Sequence, residues 1–464
     1  MLIRFNVKNF LSFASRSDDE RSEEFSMLSG NNITNIDKQN HVKNTAQFGL
    51  LKFAAIYGAN AAGKSNLVKA MDFMRSTVVD SLPKGHTEKY CKSDISNRDK
   101  ASYFELEIMV KDKYYAYGFE IILSQSKFLS EWLVEIIDEN NERTIFSRDI
   151  EKNAYEFDSD LQIEGLWEKL QVYADDIRED STVLLLSMMN KNKKLLYRQY
   201  HQIEIMRNIY EWIEGKFDIN YPNKPISDYT YMRRTENVEK ICTLIKAFGT
   251  GITGFSLVPI RYDAVMEKLP RTLADEITHH FEAKVSKMRV ENKNIPITAV
   301  VRGPKDLFII TYKDENISCQ TIKFSHGRSG AIFDISEESD GTVRLLDLLE
   351  ILLSDDGKTY VIDELDRCLH PILTYKFVET YLNLAKNRNQ QLIVTTHESR
   401  LLDFDLLRRD EIWFVNKRYT GESDIYSLDE YNTKFDRKID KAYLEGRYGG
   451  VPIFSTVFPI DDEV

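Results

Sequence analysis

The sequence predicts an α/β fold, a largely parallel sheet interrupted by an inserted helical domain. Three observations carry this. Phe53–Tyr57 and Gln391–Thr395 are short apolar runs with no polar face, which suits strands buried on both sides of a parallel sheet. Strand-like and helix-like segments alternate at both ends of the chain. Between those ends, from about residue 163 to 284, the texture changes to long amphipathic helices.

Each element has its own signal. Residues 3–7 alternate and read as a strand, followed by the turn 9–13. Residues 14–47 are mostly polar and read as loops and short strands. After Phe53–Tyr57 comes a glycine-containing turn, and then residues 65–74 with helical apolar spacing. Residues 104–108 alternate, and 114–122 and 132–137 continue the β texture as a meander. The best helical stretches are 195–217 and 238–248, with the breaker 220–225 between them. Strands return at 297–301 and 307–312. A helix over 342–353, a buried strand over Thr359–Ile362, a helix over 373–385 and the strand Gln391–Thr395 complete the pattern. The expected organisation is an N-terminal lobe over 1–140, a helical insertion over 141–297 and a C-terminal lobe over 298–464.

Composition narrows the function. The chain has 464 residues, 62 basic and 74 acidic, for a net charge of −12. That balance argues against a protein that coats nucleic acid, which needs a broad cationic surface. The longest near-apolar run, 183–189, is far short of the roughly 20 residues of a membrane span. No secretory signal pattern opens the chain. Cys91, Cys242, Cys319 and Cys368 are scattered, which fits a reducing cytoplasm better than a disulfide framework or a zinc site.

Gly58-Ala59-Asn60-Ala61-Ala62-Gly63-Lys64-Ser65 matches the phosphate-loop pattern at every fixed position. Four fixed positions coincide by chance in a chain of this length only about one time in fifty. The context also fits, because the loop joins a buried strand to a helix. Glycines let the backbone turn tightly and aim N–H groups at phosphate oxygens, and the helix adds its positive end. Gly58, Asn60, Gly63, Lys64, Ser65 and Asn66 are therefore the expected nucleotide contacts. Lys64 reaches the β- and γ-phosphates, and Ser65 is the first expected Mg²⁺ ligand.

Thr359–Ile362 ends in Asp363-Glu364. Adjacent carboxylates at the end of a core strand need a cation or a hydrogen-bond network. Beside a phosphate loop, Asp363 is the expected second Mg²⁺ ligand and Glu364 the base that orients or deprotonates the attacking water. Gln391–Thr395 leads to His397, at the sheet edge where open α/β folds bind ligands. A histidine there can hydrogen-bond the γ-phosphate. Upstream, Ser339-Asp340-Gly341-Thr342 opens an amphipathic helix, and Ser339 and Gly341 form a second expected anion site.

In this order (phosphate loop, long insertion, Ser-x-Gly helix, acidic strand, histidine) the chain resembles the ABC-type ATPase heads of the SMC, RecF and OLD kind. The segment 7–13 is similar to the first strand and turn of that family. Further segments, among them Tyr117-Gly118-Phe119-Glu120, Ser130-Glu131-Trp132-Leu133, Arg408-Arg409-Asp410-Glu411-Ile412-Trp413-Phe414 and Tyr443-Leu444-Glu445-Gly446, are similar to bacterial abortive-infection and anti-phage ATPases, of which the RloA/AbiLi-like and AriA-like proteins are the nearest. The resemblance implies a P-loop head with a mixed sheet. It implies ATP and Mg²⁺, and a homodimer or higher homo-oligomer closed around ATP. Ser339 and Gly341 would then act across the subunit boundary, and Asp363, Glu364 and His397 within the subunit. Asp366 would lie in the dimer-contact loop.

The chain departs from the family pattern at Asp340 and Thr342, and Gln125 is only a weak lid glutamine. Asp158-Ser159-Asp160 and Asp403-Phe404-Asp405 have the spacing of a fused Toprim-type nuclease but not its strand context. The expectation is thus an ATPase subunit serving as sensor or scaffold for a separate nuclease-like effector in phage defence. The alternative is a repair ATPase of the RecF or SMC kind that binds DNA directly. Local basic stretches at 191–198 and 284–293 make nucleic acid a possible but unrequired partner.

Overall fold

The computed structural model describes residues 1–14, 22–30, 40–138, 140–178, 180–222, 235–269, 271, 274–275, 297–302, 306–313, 316–327, 331–354, 357–430 and 439–444. The chain divides into two compact units: Met1–Asn220 with Asp355–Leu365 and Val378–Val464, and Tyr221–Ser354 with Asp366–Phe377.

The first unit is built on two large sheets. One is six-stranded, in the order Phe217–Asn220, Thr359–Ile362, Gln391–Thr395, Phe53–Tyr57, Ile412–Lys417, Ser423–Ser427. The first five strands run parallel and the last antiparallel, a mixed sheet. Its three central strands are buried at every position, as their unalternated apolar composition requires. Ile362 pairs with Val394 and Thr395 with Ile56, so the C-terminal ends of these strands finish nearly level.

The other sheet is a seven-stranded antiparallel meander in the order Ala154–Phe157, Glu142–Asp149, Lys127–Ile136, Lys113–Ile122, Ser102–Val110, Leu2–Lys8, Glu23–Ser26. Phe104, Leu106 and Ile108 are fully buried while Tyr103, Glu105 and Glu107 on alternate positions are not. The buried face packs on the helix Lys64–Val79, where the Phe73 ring lies tilted against those of Phe10 and Phe104 at 5.1 and 5.0 Å. Gln391 stitches the two sheets together. Its side chain accepts from Leu2 N–H at 2.6 Å and from the Thr359 hydroxyl, and donates to the carbonyls of Leu2 and Leu51. A buried amide with four such bonds specifies register, because any shift would strand polar atoms in the core.

The expected helix over 195–217 is broken. It comprises Lys194–Gln199, a 3₁₀ turn His201–Ile203 and Glu204–Gly215. Phe217–Asn220 then adds a parallel edge strand beside Thr359–Ile362. Helical apolar period ends at Gly215, and the four residues that follow are set by long-range backbone pairing.

Among its described residues the second unit holds a sheet as well as helices. Ile252–Ile260, Asn316–His326, Leu307–Lys313 and Ile297–Arg302 form an antiparallel sheet, with Ile332–Asp334 pairing onto Asn316–His326. Ile252–Ile260 is an edge strand, which is where Pro259 can sit without breaking a ladder. Val265, Leu269, Val301, Phe308, Ile310 and Cys319 form a core of this unit. The helix Asp340–Leu353 also belongs to it. The first unit closes at Asn220, so the strands and helices of 142–220 join the N-terminal sheet system and the boundary falls later than residue 140. Among the described residues no helix is long and apolar enough to cross a membrane. The basic stretch 284–293 and the tail beyond Leu444 lie outside the described residues.

Candidate functional site

The site is assembled at the C-terminal edge of the six-stranded sheet. Phe53–Tyr57 ends at Gly58, where a Cβ would lie 2.5 Å from the Val415 carbonyl of the adjacent strand. Only glycine fits that backbone approach. Gly63 has φ 122°, and a Cβ there would lie 2.4 Å from Ser423 Oγ. Ala61 is also left-handed, at φ 62°. The loop therefore curls through two conformations that favour glycine or cost energy, before entering the helix Lys64–Val79.

Lys64 is buried, and its ammonium donates to the carbonyls of Gly58 at 2.7 Å and Ala59 at 3.2 Å. The cation thus lies over the mouth of its own loop. Asn60 is exposed at the loop tip. Asn66 is turned to the N-terminal turn, donating to Ser12 Oγ at 2.8 Å. Ser423 Oγ donates to the Ala62 carbonyl at 2.5 Å, and Ser423 N–H to the Ser12 carbonyl at 2.7 Å. Ser12 and Ser423 brace the loop from two sides, and their sequence signal is only a serine beside a turn.

Asp363 lies at the end of Thr359–Ile362, 4% exposed. Its Oδ1 accepts from Ser65 Oγ at 3.1 Å and from Thr395 Oγ1 at 2.7 Å. The same threonine oxygen accepts from Glu364 N–H at 2.8 Å, and the Thr395 carbonyl takes Leu365 N–H at 3.0 Å. Thr395 is thus a joint between the acidic strand and the strand that leads to His397. Sequence reading passed over it, because a threonine closing a buried strand looks like packing. Glu364 has φ 52°, a left-handed conformation costing a non-glycine residue roughly 1–3 kcal/mol. The hydrogen bonds around it hold the backbone there. Such strain gathers where a side chain must be aimed.

His397 is exposed and follows the buried Thr396. Glu398 N–H donates to Thr396 Oγ1 at 3.0 Å, and the Glu398 carbonyl accepts from Tyr57 OH at 3.2 Å. The histidine is therefore presented at the edge by anchored neighbours. Tyr443, in the short helix Ile439–Leu444, packs beside the loop. Its hydroxyl accepts from Gly58 N–H, and its ring contacts Tyr57 at 5.6 Å and Phe414 at 5.7 Å. Burial raises its hydroxyl pKa, with the Gly58 bond opposing.

The first unit therefore brings Gly58, Asn60, Gly63, Lys64, Ser65, Asn66, Asp363, Glu364 and His397 to one sheet edge. Ser65 and Asp363 offer two hard oxygen donors on one spot. That suits Mg²⁺, which keeps several waters and takes few protein ligands. Among the described residues no cluster of three or more histidine, cysteine or acidic side chains suits a metal.

Ser339 and Gly341 belong to the second unit. Ser339 caps the helix Asp340–Leu353, its Oγ accepting from Thr342 N–H at 3.1 Å. A Cβ on Gly341 would lie 2.6 Å from the Cys368 carbonyl, so glycine is needed there for packing against the 366–369 turn. Asp366 and His370 lie in that same unit, His370 Nδ1 accepting from Ile372 N–H at 3.3 Å. Gln125 is exposed at the end of a 3₁₀ turn in the meander. The two Asp-x-Asp pairs are self-capped turns, with Asp160 N–H on Asp158 and Asp405 N–H on Asp403, both at 2.8 Å.

A family model described as "AAA domain, putative AbiEii toxin, Type IV TA system" matches residues 53–403. That span begins at the phosphate-loop strand and ends past His397. Among solved structures, an SMC head bound to the C-winged helix domain of ScpA is similar at 15% identity and a TM-score of 0.38, over 92% of this chain and 97% of that one. The SMC head domain from Thermotoga maritima is similar at 14% and 0.34, over 92% and 98%. An Smc head with an extended coiled coil, bound to the C-terminal domain of ScpA and derived from Pyrococcus furiosus, is similar at 14% and 0.33, over 96% and 99%. No curated protein matches.

Proposed function

The chain belongs to the AAA-domain family described as putative AbiEii toxins of type IV toxin–antitoxin systems, and from that premise we propose that it binds and hydrolyses ATP. It does so as a dimerising, cytoplasmic subunit of an abortive-infection defence system, acting as sensor or scaffold for a separate effector protein. The observation that carries the reading is the joining of Ser65, Asp363, Glu364 and Thr395 in one hydrogen-bonded set beside the phosphate loop.

Each group has a part. The loop N–H groups and Lys64 hold the phosphates. Ser65 and Asp363 would hold Mg²⁺, whose charge neutralises the phosphate oxygens. Glu364, aimed by its left-handed backbone, takes the proton of the attacking water. His397 donates to the γ-phosphate oxygens and reports their presence to the strand behind it. The signature turn at Ser339 and Gly341 meets the nucleotide of a second subunit, so that ATP closes the dimer. Family membership and the net charge of −12 favour this reading over a DNA-coating repair ATPase.

Lys64→Ala should abolish ATP binding in calorimetry. Glu364→Gln should bind ATP with parental affinity and turn it over at least about a hundredfold more slowly, the loss of one acid–base group. A Glu364→Gln protein that releases phosphate at the parental rate overturns the assignment of the base. Salt-sensitive binding of duplex DNA by the protein alone would favour the repair reading.

A further inference from the structure

The outward face of the seven-stranded sheet holds a second constellation, away from the nucleotide site. Two of the segments singled out in the sequence build it. In Tyr117-Gly118-Phe119-Glu120 and Ser130-Glu131-Trp132-Leu133, alternate residues point inward and outward. The inward ones are structural: Tyr117, Phe119, Glu131 and Leu133 are all buried. The outward ones, Gly118, Glu120, Ser130 and Trp132, line or flank a trough of about 460 Å³ together with Tyr103 and Glu105.

The floor of the trough is aromatic. A Cβ on Gly118 would lie 2.4 Å from Trp132 Cζ2 and 2.7 Å from Cε2, so the indole rests on the bare backbone of Gly118. Tyr103 adjoins it at 5.3 Å with only 30° between the rings. The rim is carboxylate. Glu105 accepts from Trp132 Nε1 at 2.8 Å and from Asn6 Nδ2 at 3.3 Å, and Glu120 accepts from Ser130 Oγ at 3.0 Å. These donors are neutral. Among the described residues neither Glu105 nor Glu120 forms an ion pair, although the neighbouring Glu107 pairs with Arg4. The local field is negative: burial, followed by Glu105, Glu120 and Glu107, pushes the Tyr103 hydroxyl far above its usual range.

A flat aromatic floor with oriented, charge-unpaired carboxylates at its rim is complementary to a planar cation. A guanidinium stacks on an indole face and offers N–H donors to carboxylates at its edge. A nucleic acid backbone would be repelled by the same carboxylates, and a metal ion would gain nothing from the rings. The trough runs open along the sheet, so a single amino acid would stay mostly solvated while an extended chain could continue along it. We propose that this face binds an arginine-bearing basic segment of a partner protein, with one guanidinium stacked on Trp132 and Tyr103 and bonded to Glu105 and Glu120. The site goes beyond the ATPase reading and does not depend on it.

The test uses the full chain and fluorescein-labelled hexaarginine, followed by anisotropy at fixed ionic strength. Wild type should bind it, several-fold more tightly than hexalysine, which cannot stack. Glu105→Gln/Glu120→Gln and, separately, Trp132→Ala should each weaken binding at least tenfold. Glu164→Gln/Glu214→Gln removes the same charge from exposed positions elsewhere and should change it less than twofold. Because Trp132→Ala removes packing as well, Glu120→Gln alone, a mild change on the solvent side, should still weaken binding measurably. The proposal is overturned if wild type ignores hexaarginine or binds hexalysine equally well. It is also overturned if the two double variants behave alike, or if free L-arginine displaces the peptide at comparable concentration.

Discussion

Thr395 does three things at once. It donates to Asp363, accepts from the Glu364 N–H and, through its carbonyl, takes the Leu365 N–H. A single residue thereby links the carboxylate proposed to hold Mg²⁺ to the backbone of the one proposed as base. The sequence pointed to the phosphate-loop glycines, Lys64, Ser65 and the acidic pair because the proposed chemistry demands fixed types at fixed spacing, and the fold brings them to one sheet edge. Thr395, Ser12, Ser423 and Tyr443 were not, because each acts through a contact with a residue remote in sequence. Tyr443 makes the point testable. Its hydroxyl holds the first N–H of the loop, a bond worth about 0.5–1.5 kcal/mol. Tyr443→Phe should weaken ATP affinity by about two- to tenfold in calorimetry, and Tyr443→Ala, which also removes the ring between Tyr57 and Phe414, should weaken it further. Unchanged affinity in both variants would show that the loop does not lean on this helix.

Elements were legible where burial left a period. The central strands and the middle of the meander read correctly because unalternated and alternating apolar patterns have distinct physical meanings, whereas Glu142–Asp149 and Ala154–Phe157 fell in the expected helical insertion. Elements set by pairing alone were lost: Phe217–Asn220 and Ile252–Ile260 exist because an edge was available to receive them. Segments that looked functional proved to include structural parts. In Arg408-Arg409-Asp410-Glu411 the guanidinium of Arg408 bonds Asp410 at 2.9 and 2.6 Å, and Glu411 takes Arg408 N–H and His41. Burial raises the Glu411 carboxyl, with His41 pulling the other way. Glu131 accepts from Leu185 N–H, Leu186 N–H and Tyr117 OH, tying the helix Leu185–Asn190 to the meander. Gly118 is the element-scale test. In Gly118→Val the new Cβ would meet Trp132 and, at 2.7 Å, the Phe104 carbonyl, which cannot swing aside. Such overpacking typically costs about 1–3 kcal/mol, so the urea midpoint should fall and the emission of Trp132 should shift.

At the scale of the whole molecule, the phosphate loop and the acidic pair stand far apart in sequence yet share one sheet, with Gln391–Thr395 between their strands. An intervening compact unit carries the Ser339 turn. If ATP closes a dimer, Glu364→Gln with ATP and Mg²⁺ should double in mass by light scattering, while Lys64→Ala should stay unchanged under the same conditions. An identical mass for both would remove the dimer from the reading. The acidic net charge bears on partners at this scale, and the carboxylates at the rim of the meander trough are in keeping with it. The sequence by itself supplied the residues of the proposed site, because phosphate and magnesium chemistry accepts few residue types at few spacings. It determined the parallel core as well, through strands with no polar face. Only the tertiary structure decided what holds the site in shape, where the first unit ends, and which residues of the Gly118 and Trp132 segments face solvent. Those depend on hydrogen bonds and packing between residues brought together from separate elements, some of them hundreds of positions apart, as Ser12 and Ser423 are.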